Sequence, residues 1–216
     1  IPEAAIFESF YLKFRENLFA DELGKELFEN IENVFSIIRS SVYRIIERNE
    51  SVWADDISTA EKESLTDIYI ISFKEAVDDL QQQFGDDPLQ WKWGDLLQFT
   101  LKHPLSGVRI LDRVFSLNRG PYHVGGSFHT VSKYTYQGRD LSQVNHGSSH
   151  RHIYTFDNWD ESLTIIPTGN SGIPASNNYC DQTDMYIEGV YHDDLFSRKA
   201  VESNAAFHMY FRVAER

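Results

Sequence analysis

SLTIIPTGNSGIPASNNYCD, running from Ser162 to Asp181, decides how the rest of the chain is read. An apolar run, Leu163 to Ile166, ends in a Gly- and Pro-rich loop carrying Thr168, Gly169, Asn170, Ser171 and Gly172. Polar residues, Tyr179 and Asp181 follow. The pattern predicts a strand over Ser162–Ile166 that closes into a tight turn, with glycines permitting positive φ.

Upstream, Arg151 to Phe156 (RHIYTF) reads as a second strand, and Asp157-Asn158-Trp159-Asp160 as the turn between the two. His129 to Tyr134 alternates like a further strand after Gly125-Gly126. Downstream, Ser197 is placed to cap a short helix over Arg198–Glu202, and Phe207–Val213 reads as a last strand. The front of the chain has a different texture. Pro2 suits a first helical turn, and Ala5, Phe7, Leu12, Phe14, Leu18 and Leu23 follow at helical spacing. Gly24 ends or interrupts that helix, and a second is expected from Lys25 to Arg48. A third is expected behind Ser58 and Glu61, read as a capping box, and Gly85-Asp86-Asp87-Pro88 ends it. Helices followed by antiparallel strands argue an α+β fold. The expected division is a helical segment, 1–88, and a strand-rich segment, 89–216, within one structural unit.

Composition narrows the function classes. A net charge of −13 over 216 residues opposes a nucleic-acid surface. No run of about 18 apolar residues is present, so no membrane span is expected. The single cysteine, Cys180, excludes an internal disulfide. The chain opens on Ile1 with no methionine and no basic leader, the pattern expected of a processed or excised segment.

Several stretches, in order, resemble the penicillin amidase (penicillin acylase) family. The loop above is similar to a family segment of the form LPxGQSGxPxSxHYxDQ, with Asn170 where Gln is usual. Trp93-Gly94 and His103-Pro104-Leu105 resemble WGxxHxxxxxHPL, with Leu97 at the first histidine position. Gly125, Gly126, Thr130 and Val131 match a GG…TV pattern, with Ser132 where many members have Asn. Ser149-His150-Arg151 matches an SxR strand start. Gly189, Tyr191 and Phe196-Ser197 match the last family segment.

The resemblance implies an N-terminal-nucleophile hydrolase with an αββα sandwich. A serine exposed by self-cleavage attacks an amide carbonyl, its own α-amine (pKa about 8) acting as base. Backbone N–H groups and an Asn in a Trp-Asn-Asn segment hold the oxyanion, and an Arg assists. Ile1 cannot be that nucleophile, and no Trp-Asn-Asn occurs; the adjacent asparagines Asn177-Asn178 lie in the late loop. The chain therefore resembles the C-terminal part of a β chain: structural, cleft-supporting, without catalytic residues and inactive alone. The implied parent cleaves the amide of an acylated small molecule of β-lactam, acyl-homoserine lactone or lipopeptide type. Its implied partners are the α chain and the N-terminal part of the β chain. Its implied location is periplasmic or extracellular. Cofactors are expected to be absent from this segment, with calcium held in the parent.

Arg151, Asn170 and Ser171 are the candidate cleft-lining residues; for Arg151 the competing role is a salt bridge, for Ser171 a tight turn. His146, His150 and His152 form H-x3-H-x-H; a strand puts His150 and His152 on one face, where His129 could complete a zinc site. Polar strand positions are the plainer account. Asp181, Asp184 and Asp193-Asp194 lack a calcium-loop pattern. The aromatic residues permit a glycan surface but suit strand packing better. A free-standing α+β module binding a glycan or a metal is the alternative.

Overall fold

Helix α1, Pro2–Leu23, is buried on several faces, with Ala5, Glu8, Tyr11, Phe14, Arg15, Leu18 and Phe19 all shielded from solvent. A helix buried on several faces must be packed against other elements, and its buried Glu8 and Arg15 need partners there. The computed structural model describes residues 1–32, 35–128, 130–137 and 140–213. It contains two compact units: Ile1–His103 with Asn118–Gly147, and Pro104–Leu117 with Ser148–Arg216.

In the first unit α1 is followed by α2, Lys25–Glu32, and α3, Phe35–Arg48. Gly24 joins α1 to α2 at φ 72°, a conformation that favours glycine. The expected Lys25–Arg48 helix is therefore helical over these two stretches, its centre lying outside the described residues. Helix α4, Leu65–Phe84, packs along α1. Phe14 stacks on Tyr69 at 4.7 Å, and Asn17 Nδ2 donates to Ser72 Oγ and Glu75 Oε2. The cap of α4 is not Ser58. Ser64 Oγ accepts from Asp67 N at 3.3 Å, while Asp67 Oδ2 accepts from Ser64 N at 2.9 Å. Ser58 instead donates to Asp56 Oδ1. The preceding loop is held by Asp21, whose Oδ2 accepts from Ile57 N, so the helix cannot begin there. Gly85, at φ 87°, ends α4 as expected.

A short helix α5, Trp93–Leu96, leads into β1, Gln98–Leu101, which pairs antiparallel with β2, Arg119–His123. Strand β3, Tyr134–Gln137, pairs antiparallel with β4, Asp140–Gly147. Phe99 meets Tyr134 between the two hairpins at 5.3 Å. The strand expected from His129 begins only at Tyr134; His129 lies outside the described residues, and Thr130–Ser132 form bends. Thr130 Oγ1 accepts from Ser127 N and donates to Ser132 O, which curls the chain before it can extend.

A buried polar link ties α1 to the strands: Tyr136 OH donates to Glu8 Oε2 at 3.1 Å. Arg15 of α1 meets Glu32 of α2 at 3.2 Å, both buried. Such pairs contribute little net stability but are costly to break singly.

In the second unit α6, Arg109–Phe115, follows a 3-10 turn over Pro104–Gly107. Strands β5, Arg151–Ile153, β6, Leu163–Ile165, and β7, His192–Asp193, form an antiparallel sheet in the order β5-β6-β7. Strand β5 is shorter than the expected Arg151–Phe156. Thr155 N donates to Ser162 Oγ and Thr155 Oγ1 to Glu161 O, so the chain leaves the ladder for a turn. Helix α7, Thr183–Glu188, ends at Gly189 in the left-handed region. Helix α8, Arg198–Asn204, is capped as expected, with Ser197 Oγ accepting from Ala200 N. Phe207–Val213, expected as a strand, has no regular structure and is exposed. The fold class is α+β.

Candidate functional site

The loop after β6 is shaped by hydrogen bonds across its base. Ile166 N donates to Gln182 Oε1, Gln182 N to Thr168 O, and Thr183 Oγ1 to Pro167 O. Higher up, Ser171 N donates to Asn178 O at 3.0 Å. Tyr179 OH donates to Leu117 O at 2.8 Å, anchoring the far limb. With its two limbs tied together, this is a compact surface loop of the kind that often carries function.

Gly169 has a different role from the expected one. Neither Gly169 nor Gly172 has a positive φ. A Cβ on Gly169 would lie 2.1 Å from Asn178 O and 2.3 Å from Asp181 Oδ1, so glycine is required by close approach of the opposite limb. Asn170, beside it, is exposed. Ser171 Oγ accepts from Ile173 N at 3.1 Å, a local turn bond.

Arg151 stands opposite Ile165, at the end of β6 from which the loop departs. Its guanidinium lies 3.8 Å from the Tyr186 ring centroid, and Nη1 donates to Tyr186 O at 2.9 Å. Tyr186 is fully buried and donates from its hydroxyl to Ser148 O at 2.6 Å. Arg151 thus joins β5 to the last turn of α7, where a cation also suits the helix dipole. The structure therefore brings Asn170 and Ser171 together on one loop and sets Arg151 at the sheet end beneath it.

The histidines have partners of other kinds. His150 Nε2 contacts Thr164 Oγ1, and His152 Nδ1 contacts Tyr154 OH at 3.1 Å. His123 Nδ1 meets Asp95 Oδ1 at 3.0 Å, and His192 Nε2 meets Gln182 Oε1 at 3.1 Å. None of these four imidazoles is set against a serine, as an activated hydroxyl requires. His129, the third member of the suggested zinc site, lies outside the described residues. Among the described residues no group of three or more His, Cys, Asp or Glu is arranged to hold a metal ion.

The remaining motif segments explain one another. Trp93, buried, donates from Nε1 to Gly126 O at 2.6 Å. Gly126 has φ 89°, and a Cβ there would lie 1.9 Å from Ser132 O. Gly94 faces His123, with 3.1 Å available to a Cβ. The Trp-Gly and Gly-Gly pieces are thus one packed feature, which residue order alone does not reveal. The Trp93-Gly94 motif is plain in the sequence; its bond to Gly126 is tertiary.

Comparison with known proteins adds to this geometry. A family model described as Penicillin amidase matches residues 2–203. The acyl-homoserine lactone acylase QuiP of Pseudomonas fluorescens (strain Pf0-1) is 28% identical over 194 residues, covering 88% of this chain and 22% of that protein. The QuiP acylase of Pseudomonas aeruginosa is 28% identical over 206 residues, covering 88% of this chain and 24% of that protein. The Pseudomonas putida protein of the same name is 27% identical over 193 residues, covering 88% and 23%. The chain thus spans under a quarter of the length of these curated relatives. Its glycine-crowded loop, its Trp93–Gly126 anchor and a match running through almost its whole length lead to one assignment: the chain belongs to the penicillin amidase family.

Proposed function

We propose that this chain is the C-terminal part of the β chain of an acylase that cleaves the amide of an N-acyl homoserine lactone. The family match over residues 2–203, together with relatives about four times as long, carries this reading. In it, α1 to α4 and the strands belong to an αββα sandwich, while the nucleophilic serine, the oxyanion asparagine and the helping arginine come from the rest of the precursor. The segment's role is to support the cleft. Asn170, exposed on the loop, offers an amide to a polar substrate group, Ser171 shapes the turn, and Arg151 holds the strand beneath. Calcium is assigned to earlier segments of the parent. The parent is placed in the periplasm or outside the cell; no described helix is long and apolar enough to cross a membrane.

The partner is the remainder of the precursor. Exposed Ile110, Val114 and Phe115 on α6, and Phe156 and Phe196 nearby in sequence to the sheet, are the sort of apolar surface that a larger assembly covers. The test is release of homoserine lactone from N-decanoyl homoserine lactone, assayed with the 216-residue chain alone and with the full-length processed protein. The full protein is expected to turn over and the chain alone to be inert. Turnover by the chain alone, or an inert full protein whose N-terminal serine is intact, sinks the reading.

A further inference from the structure

The first unit carries a half-open pocket of about 1130 Å³ that the cleft reading does not use. Its size is just above the roughly 300–1,000 Å³ of small-molecule pockets. Phe19 from α1, Ile38 and Ile45 from α3, Trp53 and Leu65 give it apolar walls. Trp53 meets Phe19 edge-on at 5.4 Å, which fixes one wall.

Arg44, Arg48 and Lys62 also line the pocket. Arg44 and Arg48 lie one turn apart on α3, so they face the same way. All three are exposed, and among the described residues none of them is ion-paired. Three carboxylates, Glu50, Asp55 and Glu63, also line the cavity. Two of them are engaged by their own loop: Asp55 Oδ1 accepts from Glu63 N, and Glu63 accepts from Asp56 N and Thr59 Oγ1. Two exposed arginines with no ion pair, on one face of α3 and beside apolar lining, are the basic groups this pocket offers in a chain of net charge −13. Paired guanidinium groups match the geometry of a carboxylate.

We infer that this cavity binds a free medium- or long-chain fatty carboxylate, with the alkyl chain between Phe19, Ile45 and Trp53 and the head group on Arg44 and Arg48. The inference stands on the cavity alone and does not depend on the amidase reading.

Trp53 lies in the wall while Trp91, Trp93 and Trp159 do not line the cavity, so indole fluorescence reports occupancy. The experiment titrates the whole chain with sodium decanoate below its micelle concentration, with decanol as the neutral control. Saturable quenching is expected, with decanol at least about tenfold weaker. Arg44→Glu with Arg48→Glu should weaken decanoate at least about tenfold, Arg44→Lys with Arg48→Lys should weaken it less, and the circular dichroism should not change. Trp53→Phe should abolish the signal while calorimetric binding persists. The inference fails if decanoate gives no saturable response, if decanol binds equally, or if charge reversal has no effect on a folded variant. It also fails if anionic phospholipid vesicles bind and monomeric decanoate does not displace them, which would mean a lipid surface. Loss of decanoate binding in the full-length parent would mean that the parent's own polypeptide fills the cavity, and would equally overturn it.

Discussion

The two units are held together by different physics. In the first, Phe14, Leu18, Phe28, Val42, Ile68 and Leu80 belong to an extended set of buried apolar side chains contributed by all four long helices. In the second, only Leu117, Ile165 and Tyr186 are buried apolar residues among the described residues. Its order comes instead from side chains that reach backbone groups: Tyr186 to Ser148, Tyr179 to Leu117, Thr183 to Pro167 and Asp160 to the Phe196 and Ser197 amides. Apolar burial tolerates small adjustments, whereas a hydrogen-bonded scaffold is specific and thin. The contrast teaches that the second unit is defined by bonds to its backbone rather than by an apolar core.

The largest test of this contrast is Phe14→Ala. Emptying so central a site should cost about 3–5 kcal/mol, read as lost amide protection in residues 1–103, with residues 148–213 little changed. An equal loss in both units would erase the distinction. Next, Gly169→Ala should cost about 2–3 kcal/mol by overpacking the loop base. Hydrogen exchange should then rise across residues 166–182 and not in α1. Tyr186→Phe removes one hydroxyl and leaves Ser148 O without that donor, a loss of about 1–2 kcal/mol, measured by chemical denaturation. A change below the error of that measurement would mean the scaffold account is wrong.

The smallest effect concerns pH. Glu22, at the end of α1, is pushed up to about 7 from 4.5, by burial first and then by a hydrogen bond with Asp21 and its charge. Between those values the folded chain keeps a proton that the unfolded chain releases, so stability falls as pH rises through the window. Glu22→Gln should match the parent at pH 5 and exceed it at pH 8 by roughly 1 kcal/mol, allowing for solvent screening. A constant difference across that range would refute the shift.

Much of the helical half was legible because the 3.6-residue repeat is a property of the chain itself. The caps show the limit. Ser58-x-x-Glu61 and Ser64-x-x-Asp67 are equally good boxes on paper; the grip of Asp21 on Ile57 N, from a distant helix, selects the second. Strands β2, Arg119–His123, and β4, Asp140–Gly147, carry Gly, Pro and polar residues where a strand pattern would show apolar alternation, so their sequence does not announce them. At the candidate site, the loop and Ser197 cap were visible as local chemistry. Gly169 was visible as a glycine but misread, because its need depends on Asn178 and Asp181 across the loop. Arg151 was read as a strand-starting cation; its seat on Tyr186 is tertiary and lay beyond local pattern.

The bond from Tyr136 to Glu8 joins residues 128 positions apart. During synthesis at about 5–20 residues per second, Glu8 is made roughly 6–26 s before its partner. Over that interval the first helix can gather its neighbours but cannot finish desolvating its own carboxylate. Completion of this unit's buried link therefore waits on a tyrosine made well after the helix it serves.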